Sequence, residues 1–122
     1  MRRLRTTATL LISTASLVAP TIASASPNLW VHPSTASAGA AVTIRGSGWP
    51  VIEFCRRRVT LTVDNRRIGS IRVTTNGRFA FAWTVPTTTS TGRHAIRARM
   101  LCESGLDGSP RPVKRKAYLR IS

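Results

Sequence analysis

The acidic residues, histidines and cysteines of this 122-residue chain are few, and their spacing limits the chemistry that the chain can support. The four acidic residues are Glu53, Asp64, Glu103 and Asp107. They are scattered over predicted turns and loops, whereas acid–base catalysis needs groups that converge in one pocket. The Gly46-Ser47-Gly48 motif lacks the longer pattern around a nucleophilic serine. The sequence therefore predicts a protein that is not an enzyme and that needs no cofactor.

The two cysteines, Cys55 and Cys102, are the best candidates for covalent chemistry. An even number of cysteines in a small exported domain indicates a disulfide. Metal binding is the weaker alternative, because a structural zinc site needs paired short spacings such as Cys-x-x-Cys. His32 and His94 lie at no recognised ligand spacing from the cysteines. We therefore expect a disulfide and no metal site, with His94 a partly buried structural residue.

The N-terminal segment has the pattern of a signal peptide. Three arginines in the first five residues precede an apolar run over 8–19, and Ala23-Ser24-Ala25 supplies a small-x-small cleavage pattern. The run is too short to cross about 30 Å of hydrocarbon. We expect cleavage after Ala25, giving a leader over 1–25 and one secreted, extracellular domain over 26–122 with no transmembrane segment. The export route, general secretory or twin-arginine, stays open.

Positive charge dominates the expected domain. Removal of three arginines with the leader leaves 16 basic residues against 4 acidic ones, a formal charge of +12. Such a balance favours polyanionic partners, among them nucleic acid, anionic lipid headgroups and acidic wall or matrix polymers. The alternative is that the charge serves solubility alone.

Short alternating segments separated by Gly, Pro, Asn and Asp predict an all-β domain. Asn76-Gly77 predicts a type I′ hairpin that folds the fourth strand directly onto the fifth. The phase change around Ile68 predicts a β-bulge at Gly69, and 103–112 is expected to be an exposed loop. The seven expected strands cover 29–31, 41–46, 58–63, 68–74, 78–85, 94–101 and 113–121.

Two parts of the sequence resemble bacterial immunoglobulin-like modules of the IPT/TIG type. The first is Pro33, then Gly39, then Val42-Thr43-Ile44-Arg45-Gly46-Ser47-Gly48-Trp49, and the second is Asn76-Gly77-Arg78-Phe79 with Val85-Pro86 after it. The resemblance implies an immunoglobulin-like β-sandwich of about seven strands. It also implies a non-catalytic binding or adhesion role outside the cell, without naming a ligand.

The stretch beginning at Val42 is also similar to the neocarzinostatin apoproteins, which carry a chromophore in a cleft. A small-molecule carrier is therefore the alternative function, and a cleft flanked by Trp49 and the 103–112 loop would support it. The single pair of cysteines and the cationic character depart from that family.

In an immunoglobulin-like order the third and sixth strands are antiparallel neighbours, so Cys55 and Cys102 come together at their ends. A bridge over a loop of this length stabilises a domain by about 4 kcal/mol in the chain-entropy model.

The same order places the third, sixth and seventh strands in one sheet, with a row of cations facing outward. We expect this surface to bind an anionic cell-envelope or extracellular polymer, with Tyr118 available for stacking. The alternative is that exposed strands carry cations to discourage edge pairing. The outward residues are Arg58, Thr60, Thr62, Arg97, Arg99, Lys114, Lys116, Tyr118 and Arg120, with Arg56 and Arg57 beside them.

The other sheet is expected to present mostly Thr43, Arg45, Ala80, Ala82 and Thr84, so positive charge is expected to be concentrated on one side of the domain. Aromatic residues other than Tyr118 and Trp49 are assigned to the core. With no candidate recognition helix, sequence-specific reading of nucleic acid is not expected, and the domain is expected to act as a monomer.

Overall fold

The computed structural model describes residues 26–103 and 108–122. The leader expected over 1–25 lies outside the described residues. Within the described ranges the chain forms eight strands and no helix, which confirms the all-β prediction. The strands are β1 (Asn28–His32), β2 (Thr35–Ala36), β3 (Ala41–Ser47), β4 (Cys55–Val63), β5 (Arg66–Arg72), β6 (Phe79–Thr84), β7 (Gly92–Cys102) and β8 (Val113–Ile121).

The strands form two sheets, in the orders β1-β3-β6 and β2-β8-β7-β4-β5. Every pairing is antiparallel except that of β2 with β8, which is parallel. The short β2 was not expected from the sequence. β4, β7 and β8 are the expected third, sixth and seventh strands, and they are adjacent in one sheet as predicted.

One hydrophobic core lies between the two sheets. Alternation on β4 turns Val59, Leu61 and Val63 inward, and all three are buried. The inward residues of β7 and of β3 join them in a single buried cluster. The arrangement is a sandwich-like, two-sheet domain in which each strand presents its alternate residues to solvent.

The tight hairpin occurs at Asp64-Asn65 and not at Asn76-Gly77. Asp64 and Asn65 have φ of 50° and 69°, and Val63 pairs with Arg66 across the turn, as a type I′ hairpin requires. The predicted hairpin at Asn76-Gly77 is wrong. Of those two residues only Gly77 has a positive φ.

The segment after β5 crosses from one sheet to the other. The Gly77 N–H donates to the Thr74 carbonyl oxygen at 3.0 Å, which closes a local turn, and the Gly77 carbonyl oxygen accepts from the Trp49 N–H at 3.1 Å. The loop that follows β3 thereby holds this turn, and β6 pairs with β3 instead of β5. A side chain on Gly77 would collide with the Trp49 carbonyl oxygen.

The predicted irregularity at Gly69 is confirmed. Leu61 pairs with Gly69 whereas Thr62 pairs with Arg67, so Ile68 is the extra residue of a β-bulge.

The Gly46-Ser47-Gly48-Trp49 motif has a packing role. A Cβ on Gly46 would lie 2.1 Å from the Phe79 ring and 2.7 Å from Trp49 Nε1. Trp49 is 2% exposed, packs edge-on against Phe79 and donates its indole N–H to the Asn28 carbonyl oxygen at 3.0 Å. The glycine therefore leaves the room that two core aromatic rings occupy.

Candidate polyanion-binding face

A continuous band of cations covers the outward side of the five-stranded sheet. We call this surface the basic face. Its positions alternate with buried or half-buried residues on β4, β7 and most of β8, as the sequence predicted, except that Arg115 between Lys114 and Lys116 is exposed. The basic face comprises Arg58, Thr60, Thr62, Arg67, Arg72, Arg93, Arg97, Arg99, Lys114, Lys116, Tyr118 and Arg120.

Cations of neighbouring strands stand directly opposite one another. Side chains in such positions have Cβ atoms about 5 Å apart, and like charges there destabilise a sheet. Four such pairs occur on the basic face, and no strand of this sheet contains an Asp or a Glu. The opposed pairs are Arg58 with Arg72, Arg93 with Arg120, Arg97 with Lys116, and Arg99 with Lys114.

A groove of 580 Å³ runs over the middle of the basic face. Thr60 and Thr62 of β4 lie on one side, and the cations of β7 and β8 lie along it. The threonines pair with Arg99 and Arg97, respectively. The groove thus combines hydroxyl groups with guanidinium and ammonium groups, all of which donate hydrogen bonds to anionic oxygen.

Only part of the donor capacity on this face is used within the protein. Arg97 donates to the Asn65 side-chain oxygen at 3.2 Å, and Arg58 donates to the Ser70 hydroxyl at 3.1 Å. Neither acceptor carries a charge. Among the described residues no carboxylate forms an ion pair with a cation of the face, although the charge of Arg97 also acts on the Asp64 carboxylate.

Tyr118 is 42% exposed but already has cationic neighbours. The guanidinium carbon of Arg93 lies 4.1 Å from the ring centroid, and Lys116 Nζ lies 5.9 Å from it. These are cation–π distances. Tyr118 positions cations, and the ring face under Arg93 is not open for the stacking expected from the sequence.

Arg56 and Arg57 lie beside the basic face and differ in what they bind. The Arg57 guanidinium donates to the Val73 carbonyl oxygen, with Nη2 at 2.9 Å and Nε at 3.3 Å, so it holds β4 to the chain after β5. Arg56 is exposed. Both line a separate depression of 410 Å³ together with Arg58 and Arg72.

Sequence reasoning missed three members of the face, Arg67, Arg72 and Arg93. Arg67 was missed because it precedes the predicted fourth strand, 68–74. Arg93 has the same alternation phase as Arg97 and Arg99, and extending the predicted strand by two residues would have included it. Arg72 was missed because the fourth strand was assigned to the wrong neighbour.

The Cys55–Cys102 disulfide is present, which confirms that prediction. It joins directly paired residues of β4 and β7, whose Cα atoms lie 4.0 Å apart and whose sequence separation is 47. The bridge therefore closes one end of the sheet that carries the basic face.

His94 is buried at the beginning of β7 and is paired with Asp64. Its Nδ1 lies 2.5 Å from Asp64 Oδ2, and its Nε2 lies 2.7 Å from the Ser90 carbonyl oxygen. Both neighbours are acceptors, so this geometry favours the imidazolium form, in which both ring nitrogens donate. The Asp64 hydrogen bond raises the pKa of His94, helped by the Ser90 carbonyl and opposed by burial.

The partner carboxylate is shifted the other way. The hydrogen bond from His94 lowers the pKa of Asp64, and the Ala95 N–H adds to this at 3.2 Å, while burial opposes it. With both nitrogens engaged, His94 has no free lone pair to accept a proton from a substrate. Its role is to fix the hairpin to the beginning of β7.

The aromatic residues depart from the sequence assignment. Trp49, which the alternative carrier function would place beside a ligand cleft, is buried in the core, whereas Trp30 and Phe54, assigned to the core, are 42% and 51% exposed. Trp49 therefore cannot line a carrier cleft at the surface.

Comparison of the chain with protein-family models, with curated proteins and with solved structures finds no match. In the described ranges no helix is long and apolar enough to span a membrane.

Proposed function

We propose that this chain is exported and that its domain is a non-catalytic, immunoglobulin-like binding module. The basic face holds an anionic polymer of the cell envelope or the extracellular matrix. The observation that carries the proposal is the set of four directly opposed cation pairs on one sheet face.

Export is supported by two independent features. Residues 1–25 have the charged start, apolar run and small-residue cleavage pattern of a signal peptide. The Cys55–Cys102 disulfide suits an oxidising compartment, where such bonds persist.

The strand order supports the immunoglobulin-like assignment. The order β1-β3-β6 against β8-β7-β4-β5 corresponds to strands A, B and E facing G, F, C and C′ of that fold. The resemblance of the Gly46 to Trp49 region to bacterial immunoglobulin-like modules agrees with this order.

The repulsion between cations on the basic face is better explained by binding of a polyanion than by protection against edge pairing or by solubility alone. Cations that discourage edge pairing belong on edge strands, whereas Arg97 and Arg99 lie on β7, the middle strand of five. Charge that serves solubility alone has no need of directly opposed pairs, which destabilise the fold. A polyanion in the groove relieves this repulsion and gains charge-assisted hydrogen bonds.

The proposal is tested by binding of the oxidised protein to isolated cell envelopes and to inorganic polyphosphate. Polyphosphate contains no sugar or base, so it reports charge recognition alone. Two variants each lose four charges by substitution with Gln. The face variant changes Arg97, Arg99, Lys116 and Arg120, and the control variant changes Arg45, Arg66, Arg78 and Arg111.

The unchanged protein is expected to lose about 10³-fold or more in affinity between 50 and 200 mM salt, as proteins with six or more phosphate contacts do. The face variant is expected to bind polyphosphate weakly at both salt concentrations, and the control variant is expected to keep most of the affinity for polyphosphate. Equal losses in the two folded variants, or no binding by the unchanged protein, would contradict a dedicated face.

A further inference from the structure

A second surface, on the outer side of the three-stranded sheet, combines an exposed aromatic ring with two arginines. Trp30 of β1 points outward because Leu29 and Val31 on either side of it point into the core. Its side chain contributes to a depression of 390 Å³ that Arg45 and Arg78 also line. We call this depression the Trp30 pocket.

Both arginines of the Trp30 pocket are without protein acceptors in the described part of the chain. Arg45 stands directly opposite Trp30 and has Ala80 as its other neighbour, so no carboxylate faces it across the sheet. Arg78 precedes β6, and only its backbone is hydrogen-bonded, to Thr74. Two guanidinium forks are thus left to solvent beside one indole ring.

The indole ring differs from the other exposed aromatic ring on a sheet, Tyr118. Cations lie over Tyr118 at 4.1 and 5.9 Å. Within the described residues no such cation lies over Trp30. An apolar ring face of a partner can therefore approach Trp30, while its anionic groups reach Arg45 and Arg78.

The rest of the pocket supplies short hydroxyl groups and open space. Ser47 and Thr74 line it, and the adjoining outward positions of β6 are Ala80 and Ala82. Small side chains leave the sheet face flat, so a ligand longer than one ring can continue across it.

We propose that the Trp30 pocket binds an acidic saccharide, a sugar that carries a carboxylate or a sulfate group. The C–H face of the sugar ring packs on the Trp30 indole, the acidic group is held by the Arg45 and Arg78 guanidinium forks, and the sugar hydroxyls bond to Ser47. The Thr74 hydroxyl already donates to the Asn76 side-chain oxygen and accepts from the Arg78 N–H. A nucleotide would also place a ring and an anion here. The saccharide is favoured because the pocket offers hydroxyl groups and no amide or carboxylate side chain to read the edge of a base.

This site is separate from the basic face, since the two lie on the outer sides of different sheets. The proposal therefore stands or falls independently of polymer binding by the basic face.

The test is titration of the oxidised protein with trigalacturonic acid, followed by amide and indole NMR signals at moderate salt. Neutral maltotriose and AMP serve as comparison ligands. We expect shifts at the Trp30 indole and at the amides of Arg45, Ser47 and Ala80, and weaker binding of both comparison ligands.

Two variants assign the roles. Trp30→Ala is expected to lower affinity for trigalacturonic acid at least tenfold. Arg45→Gln with Arg78→Gln is expected to reduce it to that for maltotriose, because the stacking surface remains and the charge is lost. The face variant is expected to bind trigalacturonic acid as the unchanged protein does.

Shifts confined to the basic face, tighter binding of AMP, or no shift in the unchanged protein would overturn the proposal. The titration of the unchanged protein already tests the proposal, so it can be contradicted even if a variant fails to fold.

Discussion

On both sheets alternate residues of each strand face outward, but the two outer faces differ in the charge of these residues. On the five-stranded sheet, eight cations, seven of them on β4, β7 and β8, form four opposed pairs. On the three-stranded sheet the outward positions of β3 and β6 hold small residues and one arginine, Arg45, which stands opposite an aromatic ring and an alanine. Like charges therefore repel one another on the five-stranded sheet, whereas the outward residues of the three-stranded sheet include no opposed cations.

The difference shows where the fold has to be reinforced. The sheet that bears the repulsion also holds the disulfide and the His94–Asp64 ion pair. The three-stranded sheet depends on close aromatic packing around Gly46. Substitutions that remove each of these stabilising interactions in turn test whether the two sheets are stabilised in different ways.

Loss of the disulfide has the largest expected effect. Cys55→Ala with Cys102→Ala removes a bridge across 47 positions, and the free energy of unfolding is expected to fall by about 4 kcal/mol in the chain-entropy model. The loss should be larger in low salt, because repulsion on the basic face then acts on an unbridged sheet. Urea denaturation at two salt concentrations measures it, and a loss below about 1 kcal/mol would show that the bridge is not needed.

Enlarging Gly46 is the next largest perturbation, and it acts on the other sheet. Gly46→Ala places a methyl group into the Phe79 ring, so destabilisation of about 1–3 kcal/mol is expected from overpacking. Salt should not alter it, since no charge is involved. Ala82→Ser on the exposed side of β6 is the control and is expected to change stability by less than about 0.5 kcal/mol.

The His94–Asp64 pair predicts a pH dependence with two limbs. The raised pKa of His94 gives stability that is fully present below its ordinary value of 6.5 and is lost as pH rises through the raised value. The lowered pKa of Asp64 gives stability that is present above its ordinary value of 3.8 and is lost as pH falls through the lowered value. The contribution is therefore greatest between those two ordinary values.

Asp64→Asn is expected to cost about 1 kcal/mol in that window, because Asp64 is half exposed and its charge is partly screened. It should also flatten both limbs of a urea-midpoint profile. Glu53→Gln removes an exposed carboxylate outside this pair and should leave the profile unchanged. Retention of both limbs in Asp64→Asn would assign them to other groups.

Neutralising one opposed cation pair gives the smallest expected effect, and its sign is informative. Arg97→Gln with Lys116→Gln removes like charges that face each other and is expected to stabilise the domain by about 0.2–1 kcal/mol in low salt. High salt should erase the gain. Arg45→Gln with Arg78→Gln removes the same charge without an opposed pair and is expected to give no comparable gain.

Most of the basic face could be predicted from sequence because its signal is local. Alternation along each strand assigns its residues to the inward or the outward face. On β7 and β8 the alternation of apolar and cationic residues is long enough to allow only one such assignment. The Cys55 and Cys102 positions were also predictable, since both lie at strand ends that the fold order brings together.

The errors concern features that only tertiary packing decides. Asn76-Gly77 has the composition of a tight hairpin, yet the backbone of Trp49 holds Gly77 and directs β6 into the other sheet. Trp30 was assigned to the core on hydrophobicity, because three predicted residues, 29–31, are too few to fix a phase. The Trp30 pocket was invisible for the same reason, as Arg45 and Arg78 meet Trp30 only through the pairing of β1, β3 and β6.

The most direct test of the central claim is the salt dependence of binding to duplex DNA, used as a uniform polyanion whose stacked bases are not open to Trp30. The slope of log affinity against log salt changes by about 0.9 for each phosphate contact. The account predicts that the face variant, which lacks four cations of the basic face, has a slope smaller than that of the unchanged protein by about 3.6 when each of the four contacts one phosphate, while the control variant keeps the original slope. Equal slopes for the two variants would contradict the account and leave the positive charge without a preferred face.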